Sequence, residues 1–163
     1  MYRILIADDD VLMREALKVM ISREEAFTVT DAVCSGESAV SICRTAPVDI
    51  VFLDMQMPGI TGLEASRIIH QINPDIAIYI LSAHASSVLI RNAGQETLKD
   101  VLEKPITNQM LKKILENYKT EHEDDSHEHM KLLVDLLKRK DFKKFYEVLP
   151  DIIKAIYEDS GMD

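Results

Sequence analysis

Five side chains in this sequence stand where they can do chemistry together. Asp8 and Asp9 follow the short apolar run Tyr2–Ala7, and Asp54 follows the apolar run 49–53. Ser82 follows the run 76–81, and Lys104 follows residues 99–103. Three carboxylates brought together repel unless a cation joins them. An all-oxygen set with one or two direct carboxylates and retained water suits Mg²⁺. Such a site keeps open positions that a phosphoryl group can fill. Asp54 is then the candidate nucleophile, forming an acyl phosphate. The metal would offset charge on the phosphoryl oxygens, Lys104 would bring a second cation, and Ser82 would donate a hydrogen bond.

These residues meet only if the chain folds to bring the ends of four apolar runs together. The pattern over residues 1–119 predicts that it does. Strands are expected at Tyr2–Ala7, Phe27–Val33, 49–53, 76–81 and 99–103. Helices are expected between them, capped by Asp10 and by Ser35-Gly36, and closed before Pro47 and Pro74. The fourth, within 83–97, is interrupted by Gly94. Thr107 opens a fifth helix carrying Met110, Leu111, Ile114 and Leu115. Near-continuous apolar strands alternating with helices mean a doubly wound α/β fold, a parallel sheet covered on both faces. Ligands of such sheets bind beyond the carboxyl ends of the strands, where the five residues lie.

The ordered set resembles the receiver domain of two-component response regulators, the CheY-like family. The resemblance is carried by Asp8-Asp9, by Asp54 within Asp49-Ile-Val-Phe-Leu-Asp-Met-Gln-Met-Pro-Gly-Ile-Thr-Gly62, by Ser82, and by Lys104-Pro105, 22 residues after Ser82. It covers residues 2–119. It implies a flavodoxin-like sheet of strand order 2-1-3-4-5. It makes Asp54 the phosphoacceptor and Asp8 and Asp9 the metal-binding pair. Gln56 would offer a backbone carbonyl to the metal, and Ser82 a hydroxyl to the phosphoryl group. Lys104 matches the family's lysine, whose bond to the following proline is usually cis. The side chains of Gln56 and His84 would flank the phosphoryl group and tune its hydrolysis. The implied cofactor is Mg²⁺ and the implied partner a sensor histidine kinase. A homodimer formed through the fourth-helix and fifth-strand surface follows the same pattern. The chain would be a phosphoacceptor switch rather than an enzyme with a separate substrate.

Two positions depart from the family. A Gly-Ala pair is usual ahead of the fifth strand, and here Thr97-Leu98 stands there, with Gly94 displaced upstream. An aromatic is usual three residues before the lysine, and here it is Val101. Both put the usual route of activation in question and leave the phosphorylation chemistry intact.

Residues 120–129 read as an acidic linker, and 130–163 as a helical extension. In the extension Leu132, Leu133, Leu136 and Leu137 keep helical spacing, Asp141 can cap a further helix, and Pro150 would kink or restart it. His122, His127 and His129 read as solvated linker residues. The extension is too short and too acidic for a DNA-binding module and has no basic recognition helix. DNA would be reached only through an effector domain outside this chain, such as the AraC-type module of a longer transcriptional regulator. A stand-alone receiver acting by protein contact is the alternative.

Composition sets the outer bounds. Of 163 residues, 47% are hydrophobic and 29% charged, which excludes collagen-like, wholly disordered and disulfide-scaffold chains. Net charge is −9, against a nucleic-acid-binding face. No apolar run is long enough to span a membrane, and Asp8 ends the first one too soon for a signal peptide. Cys34 and Cys43 form no CxxC pair and read as small core residues of a reduced cytoplasmic protein. A phosphatase of the haloacid dehalogenase type would share the nucleophilic Asp, the Mg²⁺ and the Lys. It needs an acid two residues after the nucleophile, where this chain has Gln56, and it needs room for a cap. A receiver-like scaffold that is never phosphorylated would not need the full acid set.

Overall fold

The computed structural model describes residues 1–83 and 87–160, with the side chains of 87–89, 124–128, 156 and 158–160 set aside. It forms two compact units, Met1–Leu111 and Lys112–Asp163.

The first unit holds five strands, β1 (Tyr2–Ala7), β2 (Phe27–Val33), β3 (Ile50–Asp54), β4 (Ala77–Ser82) and β5 (Asp100–Glu103). All pair in parallel, in the order β2-β1-β3-β4-β5. This is the flavodoxin-like order expected from the resemblance. Between them run α1 (Val11–Ile21), α2 (Gly36–Thr45), α3 (Gly62–Ile72) and α4 (Ser87–Ala93). The strands are apolar throughout because both faces are covered: Ile4, Leu5, Ile6, Ile50, Val51, Phe52, Leu53, Ile78, Ile80 and Leu81 have no exposed surface. Ala39, Val40 and Cys43 of α2 and Ala65 and Ile69 of α3 close one face over Leu5, Val51, Leu53, Ile78 and Ile80.

Local chemistry starts the helices where expected. Asp10 caps α1, its Oδ1 accepting from the Leu12 N–H at 2.9 Å, and Ser35 caps α2 through the Ser38 N–H. At α3, Thr61 and Glu64 satisfy each other's backbone N–H groups in a capping box. Opposite the carboxyl edge, Arg3 forks onto Asp49, with Nε and Nη2 each 2.9 Å from a carboxylate oxygen.

The cysteines separate. Cys43 is a core residue, and burial pushes its thiol up to about 11. Cys34 is exposed, contrary to the expectation that both are buried, because it sits past the end of β2 at the turn into α2.

The acidic stretch 120–129 is helical. Helix α5 runs unbroken from Asn108 to Lys138. Neither Gly nor Pro occurs from Ile106 to Leu149, so nothing local stops it. Pairs one turn apart tie it along its length: Lys112 to Glu116, Lys119 to Glu123, and the Thr120 hydroxyl to the Glu116 carbonyl. The His122 ring stacks on Tyr118, 3.9 Å between centroids, with Nδ1 2.8 Å from the Tyr118 carbonyl. Two residues past the end of α5, Lys140 adopts φ 59. Asp141 then caps α6 (Phe142–Ser160) through the Lys144 N–H. Pro150 lies inside α6, which continues through it. No helix among the described residues is long and apolar enough to cross a membrane.

Candidate functional site

Strand register delivers the site. Ala7 pairs with Leu53, Leu53 with Ile80, and Ile80 with Val101, so these four residues form one row across the sheet. One step beyond this row lie Asp8 and Asp54, with Leu81 and Leu102 alongside. One step further come Asp9, Ser82 and, past Glu103, Lys104. Residues level in adjacent strands face the same way, so Asp8 and Asp54 share one side of the sheet edge.

Oxygens of Asp8, Asp9 and Asp54 lie within 4.8 Å of one another. Asp8 is wholly buried and Asp54 is 7% exposed, whereas Asp9 faces solvent. Lys104 Nζ stands between the two buried acids, 3.0 Å from Asp8 Oδ2 and 3.3 Å from Asp54 Oδ1. The other Asp8 oxygen accepts from the Asp10 N–H at 2.9 Å, which fixes the carboxylate plane. Arg14 Nη1 donates to the Asp8 carbonyl at 2.7 Å and pins the strand end to α1.

The electrostatics are unbalanced toward negative charge, with one ammonium among three carboxylates. Burial, and then the charge of Asp8, push the Asp54 carboxyl up to about 6 from its usual 3.8. The charge and hydrogen bond of Lys104 and the Gln56 backbone N–H oppose the rise without cancelling it. Burial by itself would lower the Lys104 ammonium, but its bond to Asp8 and the charges of Asp54 and Asp8 hold it above its usual value. A carboxyl raised to about 6 beside two further carboxylates fits a divalent cation, which relieves the repulsion the acids otherwise carry.

The loop after β3 is shaped by close approach. The Gly62 N–H donates to the Met55 carbonyl at 3.0 Å, and any side chain at Gly62 would strike the Asp54 carbonyl. Gly59 takes φ 84, a left-handed conformation that favours glycine. The Ile60 N–H is held by Glu37 Oε1 at 2.9 Å. Lys104-Pro105 is cis, as the resemblance implies.

The structure therefore gathers Asp8, Asp9, Asp54 and Lys104. Ser82 is buried at the end of β4, where its carbonyl accepts the Lys104 N–H at 2.8 Å. Gln56 is exposed beside Asp54 and contributes its backbone N–H to that carboxylate. His84 lies outside the described residues. Sequence reasoning missed Arg14, Glu37 and the role of Gly62. Arg14 and Glu37 carry no local signal, whereas Thr61-x-x-Glu64 ahead of an apolar helix was readable.

The departures at 97, 98 and 101 also have an outcome. The Thr97 hydroxyl lies 3.3 Å from that of buried Ser66. Leu98 packs over Gly94, where an added Cβ would meet the Leu98 side chain and make it shift. Val101 is buried, and its carbonyl accepts from Arg91 Nη2 at 2.8 Å, while Arg91 Nε pairs with Asp100 at 2.9 Å. Helix α4 is thus tied to β5 by an arginine.

Comparison with known proteins agrees with this geometry. Residues 4–116 match the family model of the response regulator receiver domain. The response regulator UvrY of Escherichia coli K12 is 38% identical over 89 residues, 55% of this chain and 41% of that protein. The transcriptional regulatory protein BtsR of Salmonella typhi is 31% identical over 121 residues, 74% of this chain and 49% of that protein. The chain thus spans half or less of the length of these relatives. Among solved structures, the receiver domain of AraT, a response regulator from Geobacillus stearothermophilus, has a TM-score of 0.69 at 25% identity, covering 76% of this chain and 97% of its own. A receiver domain protein from Clostridium thermocellum gives 0.65 at 28% identity, covering 72% and 94%.

Proposed function

We propose, from the premise that this chain belongs to the response regulator receiver family of two-component signalling, that Asp54 accepts a phosphoryl group from the phosphohistidine of a sensor histidine kinase. The observation that carries this reading is Lys104 Nζ bridging Asp8 and Asp54, with Asp9 completing a three-carboxylate cluster. In the transfer, Asp54 Oδ forms a bond to phosphorus as the phosphorus–nitrogen bond of the donor breaks, and the released imidazole takes a proton from solvent. Lys104 pairs with a phosphoryl oxygen and the Ser82 hydroxyl donates to another. Asp8, Asp9, Asp54 and the Gln56 backbone carbonyl are the groups that would hold Mg²⁺, which when bound neutralises charge on the phosphoryl oxygens. Gln56 would flank the group and tune its hydrolysis, and the family resemblance gives His84 the same role.

The charge added at Asp54 biases a two-state surface. Arg91, which ties α4 to Asp100 and the Val101 carbonyl, makes that surface one piece and stands in for an aromatic swing. In this reading the receiver covers residues 1–119, with 130–163 as a helical extension, and phosphorylation favours pairing through α4 and β5. Output is control of transcription in the cytoplasm, through an effector domain outside this chain, which alone would contact DNA. UvrY and BtsR bear regulator names consistent with that output.

The test is incubation with acetyl phosphate and Mg²⁺ followed by intact-mass measurement. One phosphoryl group is expected on the native chain and none on Asp54→Asn. An unmodified native chain, or a modified Asp54→Asn, overturns the assignment.

A further inference from the structure

The second unit carries an apolar face that the receiver chemistry does not use. Leu136 of α5 and Ile152 of α6 are buried. On α6, however, Phe142, Tyr146, Ile153 and Tyr157 are 52%, 68%, 42% and 57% exposed. At 100° per residue, these positions fall within about 60° of arc, one stripe along the helix. Leu149, half-buried, lies in the same stripe. Four large apolar side chains aligned over four turns are more than scattered surface residues.

Two features say what covers them. The first is the spacing. The stripe runs 142, 146, 153, 157, with intervals of four, seven and four, the same read in either direction. A second α6 laid antiparallel sets Phe142 against Tyr157 of a second copy, and Tyr146 against Ile153 of that copy. A two-fold axis needs such self-complementarity.

The second feature is charge. The first turn of α6 carries Lys143 and Lys144, just after Lys138, Arg139 and Lys140, and has no acid. The last turn carries Glu158 and Asp159 and has no base. By sequence, residues 138–144 carry five bases and one acid, the N-cap Asp141, whereas 158–163 carry three acids and no base. An antiparallel partner sets each basic end against an acidic one. A parallel partner would stack like on like.

We infer that the stripe of α6 is the interface of a homodimer, formed by antiparallel pairing of α6 with α6 of a second copy. It forms without phosphorylation and is separate from any pairing through α4 and β5. The C-terminal helices would then hold two receivers together at rest.

Sedimentation equilibrium of the full chain, without phosphodonor or Mg²⁺, should give a dimer at micromolar concentration, and Asp54→Asn should give the same. Tyr146→Lys should weaken association tenfold or more while far-UV circular dichroism keeps its helical signal and acetyl phosphate still labels Asp54. Orientation is read separately, in a Cys34→Ser background. Phe142→Cys mixed with Tyr157→Cys should form a mixed disulfide under mild oxidation, and neither alone should self-link. This second readout stands if Tyr146→Lys fails to fold. A monomeric native chain overturns the proposal, including the case where another molecule covers the stripe. Self-linking of Phe142→Cys overturns the antiparallel arrangement. Failure of acetyl phosphate labelling would bear on the receiver chemistry and leave the dimer standing.

Discussion

Lys104 and Asp8, 96 residues apart, meet at 3.0 Å, so the acid that ends the first strand is held by the amine that follows the last. Lys104 reaches Asp54 at 3.3 Å from the same position. One ammonium therefore serves two buried carboxylates and cannot neutralise both. The net negative charge that remains is what the site offers a divalent cation, and it sets the behaviour of Asp54.

Asp54 should make the metal-free protein less stable as pH rises. Its folded value, about 6, lies above the usual 3.8. A carboxyl raised on folding contributes stability that is full below about 4 and lost as pH climbs through 6. Asp54→Asn removes this loss. In EDTA the variant should match the native chain near pH 4 and exceed it by about 1–3 kcal/mol above pH 7. Urea titrations across that range check it. A constant difference at all pH values would refute the account.

Mg²⁺ should raise the melting temperature at neutral pH and do so less as pH falls through 6, where Asp54 takes up a proton. Asp9→Asn should weaken Mg²⁺ binding tenfold or more, since it removes one of three carboxylates. The chain has no Trp, so calorimetric titration is the direct readout. Equal Mg²⁺ affinity in Asp9→Asn would remove Asp9 from the site.

Lys104→Met should slow labelling by acetyl phosphate at least a hundredfold, the scale of losing one preorganised charge at the reacting group. It should also move the Asp54 carboxyl further above 6, because the pull that opposes burial and Asp8 is gone. Carbon NMR of the Asp54 carboxyl measures the second effect. A fall in its pKa would contradict the role given to Lys104.

Gly62→Ala should destabilise the fold by about 1–3 kcal/mol, although alanine normally favours a helix. The added Cβ would strike the Asp54 carbonyl, so the loop would have to shift. Denaturant midpoints report the cost. An unchanged or stabilised variant would show that the loop yields without strain.

Glu123→Pro should remove helix from α5 and expose the acidic stretch to a Glu-specific protease. The native chain should resist cleavage between Glu121 and Glu128, because those residues lie within one helix. Equal cleavage of both chains would show that this stretch is not held as a helix.

The strand pattern, the helix caps at Asp10, Ser35 and Thr107, and the order of acids, hydroxyl and amine were all local signals. Apolar runs, Ser and Asp before helices, and prolines after them act within a few residues, and for that reason they could be read along the chain. The same was true of Gly59 and of the capping box at Thr61. The helicity of the acidic stretch 120–129 was not read, because high charge resembles a linker. Intrahelical pairs and the absence of Gly and Pro outweighed that signal. Only the folded chain decided that Arg14 would hold the Asp8 carbonyl and Arg91 that of Val101. It alone decided that Leu98 would occupy the space left by Gly94 and that Cys34 would stay at the surface. The contacting partners are only four to ten residues apart, yet each contact depends on the distance at which a helix sits from a strand end or turn. Such distances follow from strand register and helix packing, which no single stretch of residues encodes.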